Sequence, residues 1–237
     1  TAQAYQNEEG VGQAIKESGL PREEFFITTK IWLSNAGYEK AKKSIDESLQ
    51  KLQTDYIDLL LIHQPFGDYY GTYRAMEEAY KGGKVRAIGV SNFSSDRFID
   101  LQHFVEIKPA VNQIETHIFQ QQKEAKKYLE KYKCQIESWG PFAEGRNDFF
   151  NTPLLKEIGE KYGKSVAQVA LRFLIQSDVV VIPKSVRKER MQENFNVFDF
   201  ELTEEEMKSI EGLDQEKSLF FDHQDPETAE RYMSLLD

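Results

Sequence analysis

The stretch Leu59-Leu60-Leu61-Ile62-His63-Gln64-Pro65 runs through four aliphatic residues, reaches an imidazole and stops at a proline. An apolar strand that ends on a titratable ring could deliver a proton donor to the rim of a sheet, although a histidine in that position is as readily a satisfied core residue. Five other apolar runs end on groups of comparable chemistry: Lys30, Ser91 with Asn92, Gln113 with Glu115, Trp139, and Lys184 with Ser185. An ammonium, an imidazole, carboxamides, hydroxyls and an indole gathered at successive strand ends suit proton transfer and the orientation of a bound ligand. Metal chemistry is not expected. His63, His103, His117 and His223 are scattered, with no His-x-His, H-E-x-x-H or C-x-x-C spacing. A G-x-S-x-G elbow and a Walker loop are both absent, which removes the main support for hydrolase and phosphoryl-transfer readings.

A second chemistry-bearing stretch is Ile182 to Phe195, IPKSVRKERMQENF, where Lys184, Arg187, Lys188 and Arg190 surround the single Glu189. Ser185 is expected to cap the helix that begins there. Free N–H groups, the helix dipole and guanidinium donors would together take a phosphate. The alternative is a solvated helix end, but cations at a helix start oppose the dipole and call for a compensating anion.

The elements that must position these groups alternate. Strands are predicted over Phe25 to Ile31, Tyr56 to His63, Val85 to Asn92, Ala110 to Glu115, Cys134 to Trp139 and Val179 to Pro183. Most are continuous apolar runs, as in a parallel sheet covered on both faces. Between them lie amphipathic segments such as Gly37 to Gln53, where Ala41, Ile45, Leu49 and Leu52 recur at helical spacing. With no linker or composition shift, residues 1–237 read as one α/β domain. A doubly wound dinucleotide fold would normally carry G-x-G-x-x-G after a strand, and none is present. Six strand ends bearing polar groups favour instead a (β/α)8 TIM barrel, whose active site is built on that rim. Six strands do not close such a ring, and the chain opens on the helix-like segment Asn7 to Gly19. A first strand, first helix and second strand are therefore expected upstream of Thr1.

Of the 237 residues, 40% are hydrophobic and 30% charged, which is globular rather than disordered. A formal net charge of −10 disfavours nucleic acid and anionic membrane as partners. Cys134 is the only cysteine, so no intrachain disulfide can form and a cytoplasmic location is expected. No apolar run is long enough for a membrane span.

Taken in order, TAQAYQNEEGVGQAI, LLLIHQP, IGVSNF, VNQIE and IPKSVRKERMQENFNVFDFEL resemble the aldo-keto reductase family, and the likeness runs from Thr1 to about Asp225. It implies a (β/α)8 barrel that reduces aldehydes and ketones with NADPH. In its terms Tyr5 is the general acid, Lys30 lowers the tyrosine pKa, and His63 orients the carbonyl and shares in proton transfer. A further aspartate, paired with Lys30, would directly precede Thr1. The resemblance places Ser91, Asn92 and Gln113 on the nicotinamide carboxamide and Trp139 against its ring. It places Lys184, Ser185 and Arg190 on the 2′-phosphate, with Glu193 and Asn194 near the adenine. Trp32 and Phe66 would wall the pocket of a small carbonyl substrate. The tail from Leu219 to Met233 resembles those of bacterial members acting on diketo-sugar acids and methylglyoxal. A monomer is expected. The alternative is a silent barrel that binds NADPH as a sensor or regulatory subunit.

Overall fold

The computed structural model describes residues 1–236. Six short strands are present: β1 (Thr28–Ile31), β2 (Ile57–Ile62), β3 (Val85–Ser91), β4 (Val111–Glu115), β5 (Gln135–Trp139) and β6 (Val180–Val181). Hydrogen-bonded strand neighbours follow chain order from β1 to β6. The helices are α1 (Glu8–Ser18), α2 (Tyr38–Leu52), α3 (Tyr69–Lys81), α4 (Ser95–Phe104), α5 (Lys123–Lys131), α6 (Pro153–Tyr162), α7 (Val166–Gln176), α8 (Lys188–Phe195), α9 (Glu204–Glu211) and α10 (Pro226–Met233). Of the described residues, 1–112 with 223–236 make one compact unit, and Gln113–Asp222 another.

In the first unit β1, β2 and β3 pair in parallel, with Lys30 opposite Leu61 and Leu61 opposite Gly89. Every residue of β2 is buried, as its unbroken aliphatic run requires of a strand covered on both faces. Helix α2 buries Ala41, Ile45 and Leu52 as the spacing predicts, together with Ser44 and Ser48, while Leu49 is only half-buried. It approaches α1 so closely that a Cβ at Gly12 would lie 2.6 Å from the Leu52 carbonyl. At the base of this unit the buried Asp58 accepts bonds from Arg22 (2.7 Å), the Ile27 N–H (2.9 Å) and Arg86 (3.2 Å). Strand β1 begins three residues later than predicted. Residues Arg22–Glu24 form a 3-10 turn, Phe26 is exposed, and the Ile27 carbonyl accepts from both Asp58 and Leu59 N–H groups.

In the second unit β5 and β6 pair in parallel through Glu137 with Val180 and Ser138 with Val181. Helices α7 and α9 open on capping boxes, Ser165 with Gln168 and Thr203 with Glu206, each satisfying two N–H groups that the helix leaves open. Strand β6 is shorter than its apolar run, since Ile182 is exposed and Pro183 has no N–H to pair. Among the described residues no helix is long and apolar enough to cross a membrane.

Candidate active site

In the first unit the ends of β1, β2 and β3 bring together most of the residues singled out there. Side chains alternate along β1. Thr29 bonds to the buried Glu8 of α1 (2.6 Å), and Lys30, only 4% exposed, emerges on the other face. The Lys30 Nζ donates to the Thr1 carbonyl (3.1 Å) and lies 5.2 Å from the centre of the Tyr5 ring. Tyr5 closes the 3-10 turn Gln3–Tyr5, directly before α1. Its ring meets that of His63 edge to face at 5.5 Å, and Trp32 meets His63 from another side at 5.1 Å.

His63 follows the last residue of β2, and its N–H still pairs with the Ile31 carbonyl (3.1 Å). The imidazole is 8% exposed, and its Nδ1 is buried with no hydrogen bond. Burial first, and the positive charge of Lys30 second, lower its pKa to about 3. The ring is therefore neutral near neutral pH, with a single N–H to offer. Tyr5 departs from the sequence expectation. Although 54% of the residue is exposed, partial burial at the site raises the phenol pKa above its ordinary value. A phenol in this state keeps its proton at neutral pH, as a general acid must.

Strand β3 ends on Ser91, and the chain then turns at Asn92, whose φ of 63° is a left-handed conformation that asparagine tolerates. The Asn92 Nδ2 donates to the His63 carbonyl and to the Ser91 hydroxyl, both at 3.1 Å. The tail reaches the same place. Gln64 donates to the Tyr232 hydroxyl (3.1 Å) and shares a 2.9 Å bond with His223. Phe66 packs against both rings, at 5.3 Å from Tyr232 and 6.2 Å from His223. Gln64, His223 and Tyr232 had no site role from the sequence. A polar depression of 610 Å³ nearby shares only Trp32 with this cluster, and the carboxylates Glu8, Glu9 and Glu47 on its wall make it a poor seat for an anionic cofactor.

In the second unit Gln113 is buried on β4 and donates to Glu137 of β5. Trp139, the last residue of β5, is half-buried between Phe220 (5.0 Å, edge-on) and Phe221 (6.4 Å, nearly parallel). Lys184 and Ser185 lie on the segment that leads into α8 and Arg190 in its first turn, with Glu193 and Asn194 half-buried further along that helix. Ser185 is not the helix cap. The cap position falls to Arg187, whose extended backbone delays the helix, and the Ser185 hydroxyl instead accepts the Arg187 N–H (3.1 Å). Lys184, Arg187, Lys188 and Arg190 take part in none of the ion pairs among the described residues. Four unpaired cations beside open helix N–H groups are a donor set that fits a phosphate monoester. Among the described residues no group of three or more His, Cys, Asp or Glu side chains could hold a metal.

Comparison with known proteins identifies the family. The sequence pattern of the Aldo/keto reductase family matches residues 1–215. Glyoxal reductase of Bacillus subtilis (strain 168) is 48% identical over 218 residues, 92% of this chain and 78% of the relative. Methylglyoxal reductase DkgA of Escherichia coli (strain K12) is 42% identical over 222 residues, 92% of this chain and 80% of the relative. Among solved structures, an aldo-keto reductase from a Medee basin deep-sea metagenome library superposes with a TM-score of 0.92 at 44% identity, covering 94% of this chain and 84% of that one. The Bombyx mori aldo-keto reductase in complex with NADP gives a TM-score of 0.88 at 34% identity, covering 98% and 81%.

Proposed function

Because the chain belongs to the aldo/keto reductase family of (β/α)8 barrels, we propose that it reduces small aldehydes and ketones with NADPH, with Tyr5 as the proton donor. The cluster of Tyr5, Lys30 and His63 carries this reading: a phenol that keeps its proton, on the turn before α1, beside a buried ammonium and a neutral imidazole at the ends of two adjacent strands.

When bound, the cofactor supplies a hydride to the carbonyl carbon. Tyr5 Oη gives its proton to the carbonyl oxygen, so the product is an alcohol and the phenolate recovers its proton from water. Lys30 stabilises that phenolate. His63, neutral and fixed between Tyr5 and Trp32, orients the carbonyl by donating its one N–H rather than by acting as a proton reservoir. Ser91, Asn92 and Gln113 hold the carboxamide of the nicotinamide, and Trp139 gives its ring an aromatic wall. Lys184, Ser185 and Arg190 take the 2′-phosphate, which selects NADPH over NADH, with Glu193 and Asn194 toward the adenine. The unpaired cations around the start of α8 support this assignment.

Trp32 and Phe66 wall the substrate space, and the relatives named for glyoxal and methylglyoxal suggest carbonyls of that size. The enzyme is taken as one cytosolic domain acting as a monomer. Retention of Tyr5, Lys30 and His63 together weighs against a barrel that only binds the cofactor. The test is Tyr5→Phe in the intact gene product. Turnover of methylglyoxal should fall by about 10² to 10⁴ while NADPH binding persists. Undiminished turnover would remove Tyr5 from its role.

A further inference from the structure

Glu115, the last residue of β4, is 5% exposed and collects three donors. His117 offers Nε2 at 2.9 Å, the Leu219 N–H lies at 2.9 Å, and the Ser218 hydroxyl donates to the second carboxylate oxygen. The state of His117 follows from its other side. Its Nδ1 accepts the Phe119 N–H (3.2 Å), so the proton of a neutral ring sits on Nε2 and points at Glu115. Ser218 passes the restraint on, since its oxygen also accepts the N–H groups of Phe220 (3.0 Å) and Phe221 (3.1 Å). Those two rings are the ones that flank Trp139. Arg146 fixes the segment from its outer side, with Nη1 on the Leu219 carbonyl (2.6 Å) and its guanidinium 4.1 Å from the centre of the Phe220 ring.

A buried carboxylate with three donors needs a reason, because each ordered donor costs entropy and the charge costs desolvation. Here the bonds converge on one short segment, 218–221, whose two phenylalanine rings meet the indole. Gly140, next in sequence to Trp139, takes the left-handed turn at φ of 65°, and the Phe220 ring lies beside it. The segment is a clasp with a polar hinge at Glu115 and Ser218 and an aromatic jaw on Trp139.

We propose that Glu115 and Ser218 are positioning residues for the cofactor: through Phe220 and Phe221 they fix the Trp139 ring against which the nicotinamide stacks. The inference rests on the reading of Trp139 given above. It places Phe221 against the indole, nearly parallel to it.

The experiment compares Ser218→Ala, which removes the hinge, with Ser218→Thr, which keeps its hydroxyl, in the intact gene product. Ser218 is only half-buried, so both should fold, and thermal melts check this. A Trp32→Phe background leaves Trp139 as the sole tryptophan of residues 1–237, and tryptophan emission of the cofactor-free protein should shift in Ser218→Ala and return in Ser218→Thr. By calorimetry Ser218→Ala should weaken NADPH by about three- to tenfold. Adenosine 2′,5′-bisphosphate, which has no nicotinamide, should bind unchanged. Equal losses for both ligands would mean general loosening and overturn the proposal, as would unchanged or tighter NADPH binding; the latter would make Phe221 an occluder of the cofactor face. Trp139→Leu separates the two levels of the argument. If it leaves NADPH affinity intact, the stacking role of Trp139 fails and the clasp falls with it; if it weakens NADPH while Ser218→Ala does not, only the clasp fails.

Discussion

Lowering the pH from about 7 to about 5 should cost this protein stability through one residue. His63 is held near 3 in the folded chain against an ordinary 6.5, by burial and by Lys30. A histidine whose folded value is depressed contributes no penalty above its unfolded value. As pH falls below that value the unfolded chain takes up a proton that the folded chain refuses, and the loss grows until the folded value is reached. At about pH 5 linkage puts this loss at about 2 kcal/mol relative to about pH 7. The assay is urea unfolding of the cofactor-free protein and of His63→Gln at both pH values. Gln64, Asn92 and the tail contacts remain in the variant, so contributions from other groups cancel in the comparison. The wild type should lose about 2 kcal/mol more than His63→Gln between the two conditions. Equal losses would refute the claim that the imidazole is held neutral, and with it the role of His63 as an orienting donor rather than a proton source.

Two other perturbations separate stability from binding. Asp58 sits in burial that would raise its carboxyl, but the Ile27 N–H and the Arg22 and Arg86 guanidiniums outweigh it and hold the pKa below the usual range. Its stabilisation is therefore present above the ordinary carboxylate value and is lost as pH falls through the depressed one. Asp58→Ala strands the Ile27 N–H and Arg22 and should cost about 3 kcal/mol in chemical denaturation, whereas breaking the exposed Lys81 to Glu106 pair should leave the denaturation midpoint nearly unchanged. At the start of α8, Lys184→Ala and Arg190→Ala should each weaken NADPH by about tenfold and leave NADH unchanged, read by titration of both cofactors. Parallel losses would show that these side chains do not meet the 2′-phosphate.

The rim of the sheet was legible because each strand announces its end chemically. The aliphatic run before His63 leaves no doubt about burial, and the change of residue type marks where the chain emerges. Lys30, Ser91 and Trp139 are read in the same way, and all lie at or next to the ends of their strands. What was not legible depends on partners far apart in sequence. Gln64 meets Tyr232 across 168 positions and Glu115 meets Leu219 across 104, and no periodicity or motif encodes such pairs. Local competition explains the miss at Ser185. A serine two residues before a possible helix start can cap the helix or bond the next turn's N–H, and the extended backbone at Arg187 selects the second. The Tyr5 pKa was misjudged for a related reason: sequence supplies the neighbouring charge of Lys30 but not the desolvation that opposes it.

The central claim is a hydride transfer, and transfer of deuterium tests it most directly. NADPH carrying deuterium at the transferable C4 position should be mixed with the intact gene product and methylglyoxal, and the alcohol examined by mass spectrometry. The account predicts one deuterium on the new carbinol carbon for each NADP formed, with the label absent from the product of Tyr5→Phe on the same timescale. Saturable NADPH binding with no deuterium in any carbonyl product would contradict it and leave a barrel that binds the cofactor without using it.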